Sequence, residues 1–579
     1  MTVIRHIKIE NFRSIRNAEL YPTPGLNCLI GPGDSGKSTL LDAIDIVLGL
    51  RRSYPFNDAD FHNMDTEKPI IITVTLGDLD NDLKNLEAYG HFFRGFDLQT
   101  KKINDEPLSG NEKVLTLQVR VCDDLEPEWL LYSDRALQEG IEKRLQWKHR
   151  ELLAPIRLGT TADYHLAWGG RSILNKLTED AFDISSTLSS LSRQTRENFA
   201  EQELPELEGV LAQVRTIANS LGVPVSDLKA HLDVKGVSLS NGAISLHNFD
   251  NTPLRQLGTG SSRLLISGLQ KAVSNSSIII VDEAEYGLEP YRISRLLNEL
   301  GSKDENPSRQ VFITTHSPYV LRELQAEQLH VLRKAPINQG VPPAPFSHTV
   351  FSMTGEGQEQ GTLRACAEAF FSKAVIVGEG STEVGIIRGL DLHYQTILAP
   401  GFQDRGVFCT DGGGGDNYFK RSEVFASLGY PTALIKDSDI TTQSHQERTA
   451  QCSSKRVFIF EWGNGFSTED AILHWCPLNL IPLIIRLAAT LNGEQEVKQH
   501  IQNCTGNQYT FETCVFIPNE AMRQSLATAA GKYKWFKNIA KSEELARNII
   551  GPNYHNFSSE FKKIIDDLYS WASHNGDQR

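Results

Sequence analysis

The stretch FSKAVIVGEGSTE, Phe371–Glu383, decides the fold. Ala374–Val377 is an apolar run of strand length. It ends in Gly378-Glu379-Gly380, with a second acid at Glu383. An anion at the carboxyl end of a buried strand lies where open α/β sheets bind their ligands. The chain before this stretch reads as one α/β unit and the chain after it as another, with the boundary near 355–370.

Downstream, the same event recurs. Val407–Thr410 runs into Asp411 and the glycines 412–415; Thr432–Ile435 runs into Lys436-Asp437-Ser438-Asp439; Arg456–Phe460 runs into Glu461, followed by Ser467-Thr468-Glu469-Asp470. A strand has a period of two, so Asp437 and Asp439 are expected on one side. Like charges about 4 Å apart repel by several kcal/mol at an effective dielectric near 20. Carboxylates crowded at one sheet edge therefore predict a neutralising divalent cation, and oxygen donors suit Mg²⁺ or Mn²⁺. Single acids that cap strands and face water are the plainer alternative. The apolar Pro477–Ala488 predicts core, and the end of the chain, 571–579, a frayed tail.

Upstream, Ile4, Ile7 and Ile9 alternate as a strand, and a second strand, Leu26–Ile30, enters Gly31-Pro32-Gly33-Asp34-Ser35-Gly36-Lys37-Ser38-Thr39. A helix with Leu40, Leu41, Ile44, Val47 and Leu48 follows and stops at Gly49. This is a P-loop in its strand-to-helix context: backbone N–H groups cradle phosphates, Lys37 reaches the β/γ phosphates and Ser38 holds Mg²⁺. The apolar strand Ile278–Val281 ends in Asp282-Glu283, expected to hold Mg²⁺ and to orient the attacking water. A strand at Gln310–Thr314 ends in Thr315-His316, with His316 a candidate γ-phosphate sensor. Residues 70–76, 114–121 and 129–132 predict an antiparallel layer, 77–113 a loop-rich segment, and 173–240 a helical insertion, either a packed subdomain or a dimerisation arm.

Composition bounds the rest. The 579 residues predict about two to four domains. The net charge of −14 argues against a protein that coats DNA indiscriminately, although a local basic groove can still bind it. Eight scattered cysteines without a CxxC pair predict reduced thiols and a cytoplasmic setting. No membrane span and no secretory leader are expected.

The ordered motifs IENFRSI, GPGDSGKS, GTGSSR, VDEAE and THSP resemble the ABC-type ATPases of the SMC, RecF and Rad50 kind. That resemblance implies a homodimer or higher oligomer, with Ser261 of the signature-like turn completing the partner's ATP site. Glu-Gly-x-x-Glu followed by Asp-x-Asp resembles a Toprim domain, and the fusion resembles the OLD (overcoming lysogenization defect) nucleases, a family that includes the Gabija nuclease subunit and retron-associated effectors. The fold implied is α/β: an ABC-type ATPase in two parts (1–172 and 241–360) around the insertion, then a Toprim domain over 361–579. The resemblance carries metal-binding roles onto Glu379, Glu383, Asp437, Asp439 and Glu469, matches Ser467 and Glu469 to a Ser-x-Glu motif, and places a transition-state lysine in GKYKWFKNIAKSEELA, first at Lys541 and next at Lys537. It implies ATP, two divalent metals, DNA cleavage and anti-phage defence, with a helicase or a reverse transcriptase as possible partner. The rival reading is a repair ATPase with a non-catalytic Toprim; a topoisomerase would need a DNA-breaking tyrosine domain, and none is visible. In Lys532–Lys541, Tyr533, Trp535 and Phe536 either stack on DNA or pack as core.

Overall fold

A computed structural model describes residues 2–158, 253–273, 276–336 and 346–576, plus five isolated positions between 190 and 198. The expected insertion at 173–240 lies almost wholly outside the described residues.

The first sheet comprises β1 (Val3–Phe12), β2 (Ile15–Leu20), β4 (Ile70–Gly77), β5 (Phe93–Phe96), β6 (Ile103–Asn104), β7 (Glu112–Val121) and β8 (Pro127–Tyr132). It is antiparallel, in the order β2-β1-β4-β7-β5-β6, with β8 also on β7. Ile7 pairs with Val74 and Val74 with Leu117, while Ile9 pairs with Ile72 and Ile72 with Val119. These residues are buried together with Leu40, Ile44, Val47 and Leu48 of α1 (Lys37–Leu48). Alternation leaves Lys8, Thr73 and Gln118 on the opposite face. Residues 77–113, expected as loop, hold β5 and β6; Phe93 and Phe96 are buried, and so short a strand shows no periodicity.

The second sheet runs β13 (Phe346–Ser352), β12 (Leu329–Pro336), β3 (Leu26–Ile30), β11 (Gln310–Thr314), β10 (Ile278–Val281), β9 (Ile156–Leu158). Its strands are parallel except β13. The third is fully parallel: β15 (Val407–Asp411), β14 (Ala374–Gly378), β16 (Thr432–Lys436), β17 (Val457–Glu461). Every residue of β14 is buried, as a central parallel strand covered on both faces requires.

The two parallel sheets share one core. Cys28, Ile30 and Ile313 belong to the same buried cluster as Phe370, Val375, Val377 and Leu434. Arg333 donates to the Ser372 and Lys373 carbonyls just before β14 and lies over the Tyr430 ring at 4.2 Å. The joint is therefore a packed interface and not a linker.

Further helices position the C-terminal site: α2 (Thr259–Val273), α3 (Ser381–Thr396), α4 (Thr468–Trp475), α5 (Ile481–Asn492), α6 (Ile539–Leu545) and α7 (Ser559–Asn575). Gly385 and Gly389 share a face of α3. A Cβ at Gly385 would stand 1.9 Å from Ser542 Oγ, and one at Gly389 would stand 2.4 Å from the Glu543 carbonyl. Only glycine lets α6 lie this close. Ile481, Ile484, Ile485 and Ala488 are core, as expected. Of the expected frayed tail, 571–575 is helical: α7 continues to Asn575 and buries Trp571, while 577–579 lie outside the described residues. Among the described residues no single helix is long and apolar enough to cross a membrane.

Candidate active site

Two sites stand at strand ends. At the first, the P-loop joins β3 to α1. A Cβ at Gly31 would lie 2.3 Å from the Leu332 carbonyl, and Gly36 holds φ +94° at the helix start. Lys37 is buried, its Nζ donating to the Gly31 and Pro32 carbonyls at 3.1 and 3.0 Å. Burial lowers its pKa, opposed by the charges of Asp34, Asp282 and Glu283. Ser38 Oγ stands 3.4 Å from Asp282 Oδ1, and Thr314 Oγ1 donates to that same oxygen at 2.5 Å. Thr39 Oγ1 lies 3.2 Å from Ser14 Oγ.

Glu283 adopts φ +48°, its N–H held by Thr314 Oγ1. Glu285 accepts from Thr315 Oγ1 and from the His316 N–H, which fixes the backbone of that turn. The exposed His316 ring lies 6.4 Å from Phe371, immediately ahead of β14. Ser261 lies in the first turn of α2, where its hydroxyl accepts from Arg292 Nη1 at 2.8 Å. Ser35 Oγ is buried without a hydrogen-bond partner. The glycine cradle, the buried lysine and this orphaned hydroxyl fit a nucleotide phosphate chain. Sequence reading missed Arg157, whose guanidinium pairs with Asp42 at 2.5 Å and Asp282 at 3.7 Å.

At the second site, the ends of β14 and β16 and the N-termini of α3 and α4 bring four acids together. Glu379 follows β14 and accepts the Asp437 N–H at 3.0 Å through Oε2. Glu383, at the third position of α3, accepts the Gly380 N–H at 2.8 Å. Asp437 Oδ1 accepts the Thr468 N–H at 2.9 Å. Thr468 is the residue that sequence reading missed: its hydroxyl contacts Glu383 Oε1 at 2.5 Å and Asp437 Oδ1 at 2.8 Å. That hydroxyl also accepts from Trp462 Nε1 at 2.7 Å. With one proton it can fully satisfy only one carboxylate, so the two contacts crowd two acids on a single hydroxyl.

The electrostatics agree. Burial raises the pKa of Glu379, Glu383, Asp437 and Glu469, and mutual repulsion adds to it, with Glu383 and Glu379 acting on Asp437. Asp439 is exposed and adds negative charge toward Glu379 and Glu469. Asp437 and Asp439 both lie beyond the last residue of β16, so strand alternation does not govern them. Glu461 turns away, paired with Lys436 at 2.9 Å, and Asp411 is held by Ser381 Oγ.

Ser467 does not join the acids. It is the N-cap of α4, with Oγ donating to Asp470 at 2.6 Å. The two candidate lysines are placed differently. Lys541 Nζ donates to Asn492 at 2.7 Å, at the end of α5, whereas the charge of Lys537 bears on both Glu379 and Glu469. Trp535 and Phe536 are core, and Tyr533 stacks on His500 at 3.9 Å, so none of the three is a free stacking platform.

Among the described residues no group of three His, Cys, Asp or Glu side chains forms a ready-made metal cage. The donor set nevertheless suits a hard divalent cation, being carboxylate oxygen throughout, and Glu469 Oε1 is buried with no hydrogen-bond partner. Glu379, Glu383, Asp437, Asp439 and Glu469 are the residues that would hold it. Since ligation needs ionised carboxylates, metal binding should release protons near neutral pH. Titrating Mn²⁺ calorimetrically in buffers of different ionisation enthalpy checks this, with affinity rising as pH rises. The sign for folding is opposite: raised carboxyl pKa values mean the folded, metal-free protein holds more protons than the unfolded chain, so its melting temperature should fall as pH rises through neutrality.

Three family models match the chain: an AAA ATPase domain over residues 3–152, an AAA domain described as a putative AbiEii toxin of a type IV toxin–antitoxin system over 162–322, and the Toprim domain of overcoming lysogenization defect-like proteins over 370–439. The chain is 26% identical over 365 residues to the OLD nuclease of Thermus scotoductus, covering 57% of this chain and 62% of that protein. It thus spans less than two thirds of that relative. It is 22% identical over 490 residues to endonuclease GajA of Bacillus cereus, covering 76% of this chain and 75% of GajA. It is also 46% identical over 54 residues to the RecF replication and repair protein of Nitrosococcus oceani, 15% of that protein's length.

Proposed function

We propose that this chain, in which an OLD-like Toprim domain follows an AAA-type ATPase, is an ATP-binding, divalent-metal-dependent DNA endonuclease whose ATPase regulates cutting. The observation that carries the proposal is the meeting of Glu379, Glu383, Asp437 and Glu469 beside Lys537 at the carboxyl edge of the Toprim sheet. Mg²⁺ or Mn²⁺, when bound there, supplies water activation and charge neutralisation for phosphodiester hydrolysis. The chain's own contribution is orientation and charge. Thr468 and the Asp437 N–H set the directions of the carboxylates, and Lys537 supplies a cation where the phosphorane gains negative charge.

At the ATPase, Lys37 and the P-loop amides would bind the phosphates, Ser38 and Asp282 the accompanying Mg²⁺, and Glu283 the attacking water. Ser261 is assigned to the partner's nucleotide in a homodimer of heads. His316 and Phe371 offer a short route from nucleotide to β14. A cytoplasmic anti-phage role is consistent with the resemblance to GajA, with a neighbouring helicase or reverse transcriptase gene identifying the partner.

Wild type should nick or linearise plasmid with Mg²⁺ or Mn²⁺ and not with EDTA. No cutting with either metal, with and without ATP, leaves the repair-ATPase reading. Lys537→Ala should lower the cutting rate about 100-fold or more, while Lys541→Ala stays within about threefold, the reach of a surface change. The reverse ordering would return the role to Lys541.

A further inference from the structure

The open face of the antiparallel sheet forms a trough of about 920 Å³ that the proposed reaction does not use. Its floor is the outward rows of β1, β4 and β7, on the side away from α1. From His6 to Glu10 it runs about 13 Å at ~3.3 Å per residue, and it spans several strands at ~4.8 Å each. This is a tray and not a closed pocket, so it suits a chain laid across it better than an engulfed small molecule.

Its charge is opposite to that of the whole protein. Lys8, Arg94, Lys101, Lys102 and Arg120 line it against two acids, Glu10 and Glu19. Lys8 pairs with Glu10 at 3.1 Å, and Arg94 is backed by Asp105 and Asp134. Lys101, Lys102 and Arg120 are exposed and make no ion pair among the described residues. On a chain of net charge −14 such a cluster is a local departure.

The second observation is a buried group aimed into the trough. His6 is only 7% exposed, and its Nε2 has no hydrogen-bond partner; the nearest acid oxygen, on Glu19, is 3.8 Å away. Burial and the charges of Lys8 and Arg94 keep the ring neutral, with its pKa lowered to about 4. It is therefore a hydrogen-bonding group with nothing to bond. Around it stand Tyr21, tilted on His6 at 4.5 Å, and Tyr132, under the Arg94 guanidinium at 5.4 Å. Thr73 and Gln118 supply further hydrogen-bonding groups on the floor.

We propose that this tray binds single-stranded nucleic acid, with Lys101, Lys102 and Arg120 on the phosphates, Tyr21 as a base platform and His6 Nε2 on a base or sugar edge. Cations that track a backbone, combined with a half-exposed aromatic ring on a sheet, are the elements of single-strand recognition. The site stands apart from the cutting acids, so it gives the proposed nuclease a second hold on its substrate or a sensor strand.

The test uses the full-length protein carrying Glu379→Ala, so that nothing is cut, with fluorescent 20-nucleotide DNA, RNA of the same sequence, and duplex DNA. Adding K101E, K102E and R120E should weaken single-strand binding at least tenfold and reduce the salt dependence of log K by about 2, at ~0.7 per phosphate. Tyr21→Ala should weaken it by roughly tenfold. Duplex binding and ATP binding should be unchanged, the latter reporting an intact fold. Preference for DNA or for RNA among the single strands names the source. Unchanged single-strand affinity, or an equal loss for duplex, overturns the proposal. Cutting activity of the otherwise unmodified enzyme is a separate readout, so this result and that of the nuclease reading can fail independently.

Discussion

Glu379→Ala should abolish metal-dependent DNA cutting, lowering the rate by at least about 10³-fold, roughly 4 kcal/mol of barrier. The side chain has two jobs. In the proposed reaction it would offer carboxylate oxygen to the cation, and in the structure its Oε2 accepts the Asp437 N–H at 3.0 Å, tying the loop after β16 to the end of β14. Alanine removes both. Glu379→Gln separates them, because an amide oxygen still accepts that N–H while the charge is gone. If the charge is what matters, glutamine is as inactive as alanine. Glu379→Gln should not lower the melting temperature of the metal-free protein at neutral pH, since it removes a half-buried carboxylate that burial and Asp439 disfavour while keeping an acceptor for the Asp437 N–H. Plasmid time courses with Mg²⁺ and Mn²⁺ beside thermal melts make the measurement. Glutamine cutting at the wild-type rate would take Glu379 out of the ligand set. Glu461→Ala is the internal contrast: it ends the neighbouring strand but faces outward on Lys436, and should cut within about twofold of wild type.

Lys37→Ala should weaken ATP binding by about 100-fold or more, near 2.7 kcal/mol. The ammonium is buried, and its hydrogen bonds to the Gly31 and Pro32 carbonyls satisfy protons without meeting an anion. Burial already destabilises the charge, so a phosphate arriving there meets a poorly solvated cation and the pairing is correspondingly strong. Calorimetry with ATP measures the loss. Mn²⁺ binding at the Toprim acids should survive, because no P-loop atom reaches them. Affinity for ATP equal to wild type would remove the phosphate role from this loop. The same variant tests regulation: wild-type cutting should change between ATP and ADP, and Lys37→Ala cutting should be indifferent to both.

The strands that carry the acids and the P-loop were legible in the sequence because the signals are local. An apolar run the length of a strand, followed by glycine or an acid, needs no distant partner to be recognised, and Leu26–Ile30, Ile278–Val281, Gln310–Thr314 and Ala374–Gly378 all form strands. The glycine spacing of the P-loop is likewise a backbone requirement written in consecutive residues. The short strands β5 and β6 escaped because their only signature is burial of Phe93 and Phe96 in a core assembled from elsewhere.

Tertiary structure alone decided how the site is filled. Lys537 and Lys541 are four apart and would share a face of one continuous helix. The helix instead begins at Ile539, with Asn538 capping it through the Lys541 N–H, so the two lysines part: one bears on the acids and the other on Asn492. What brings Lys537 there is the close approach of α6 to Gly385 and Gly389, more than 140 residues away in sequence. In Ser467-Thr468-Glu469 the first hydroxyl caps the helix and the second bridges Glu383 and Asp437. Adjacent side chains at a helix start point in different directions, and only the docking of the start of α4 beside Asp437 and Glu383 determines which one meets the carboxylates. The sequence by itself settles the strands, turns and helices whose signals are local and strong; short strands such as β5 and β6, and the choice among chemically similar neighbours, are decided by contacts between segments far apart in the chain.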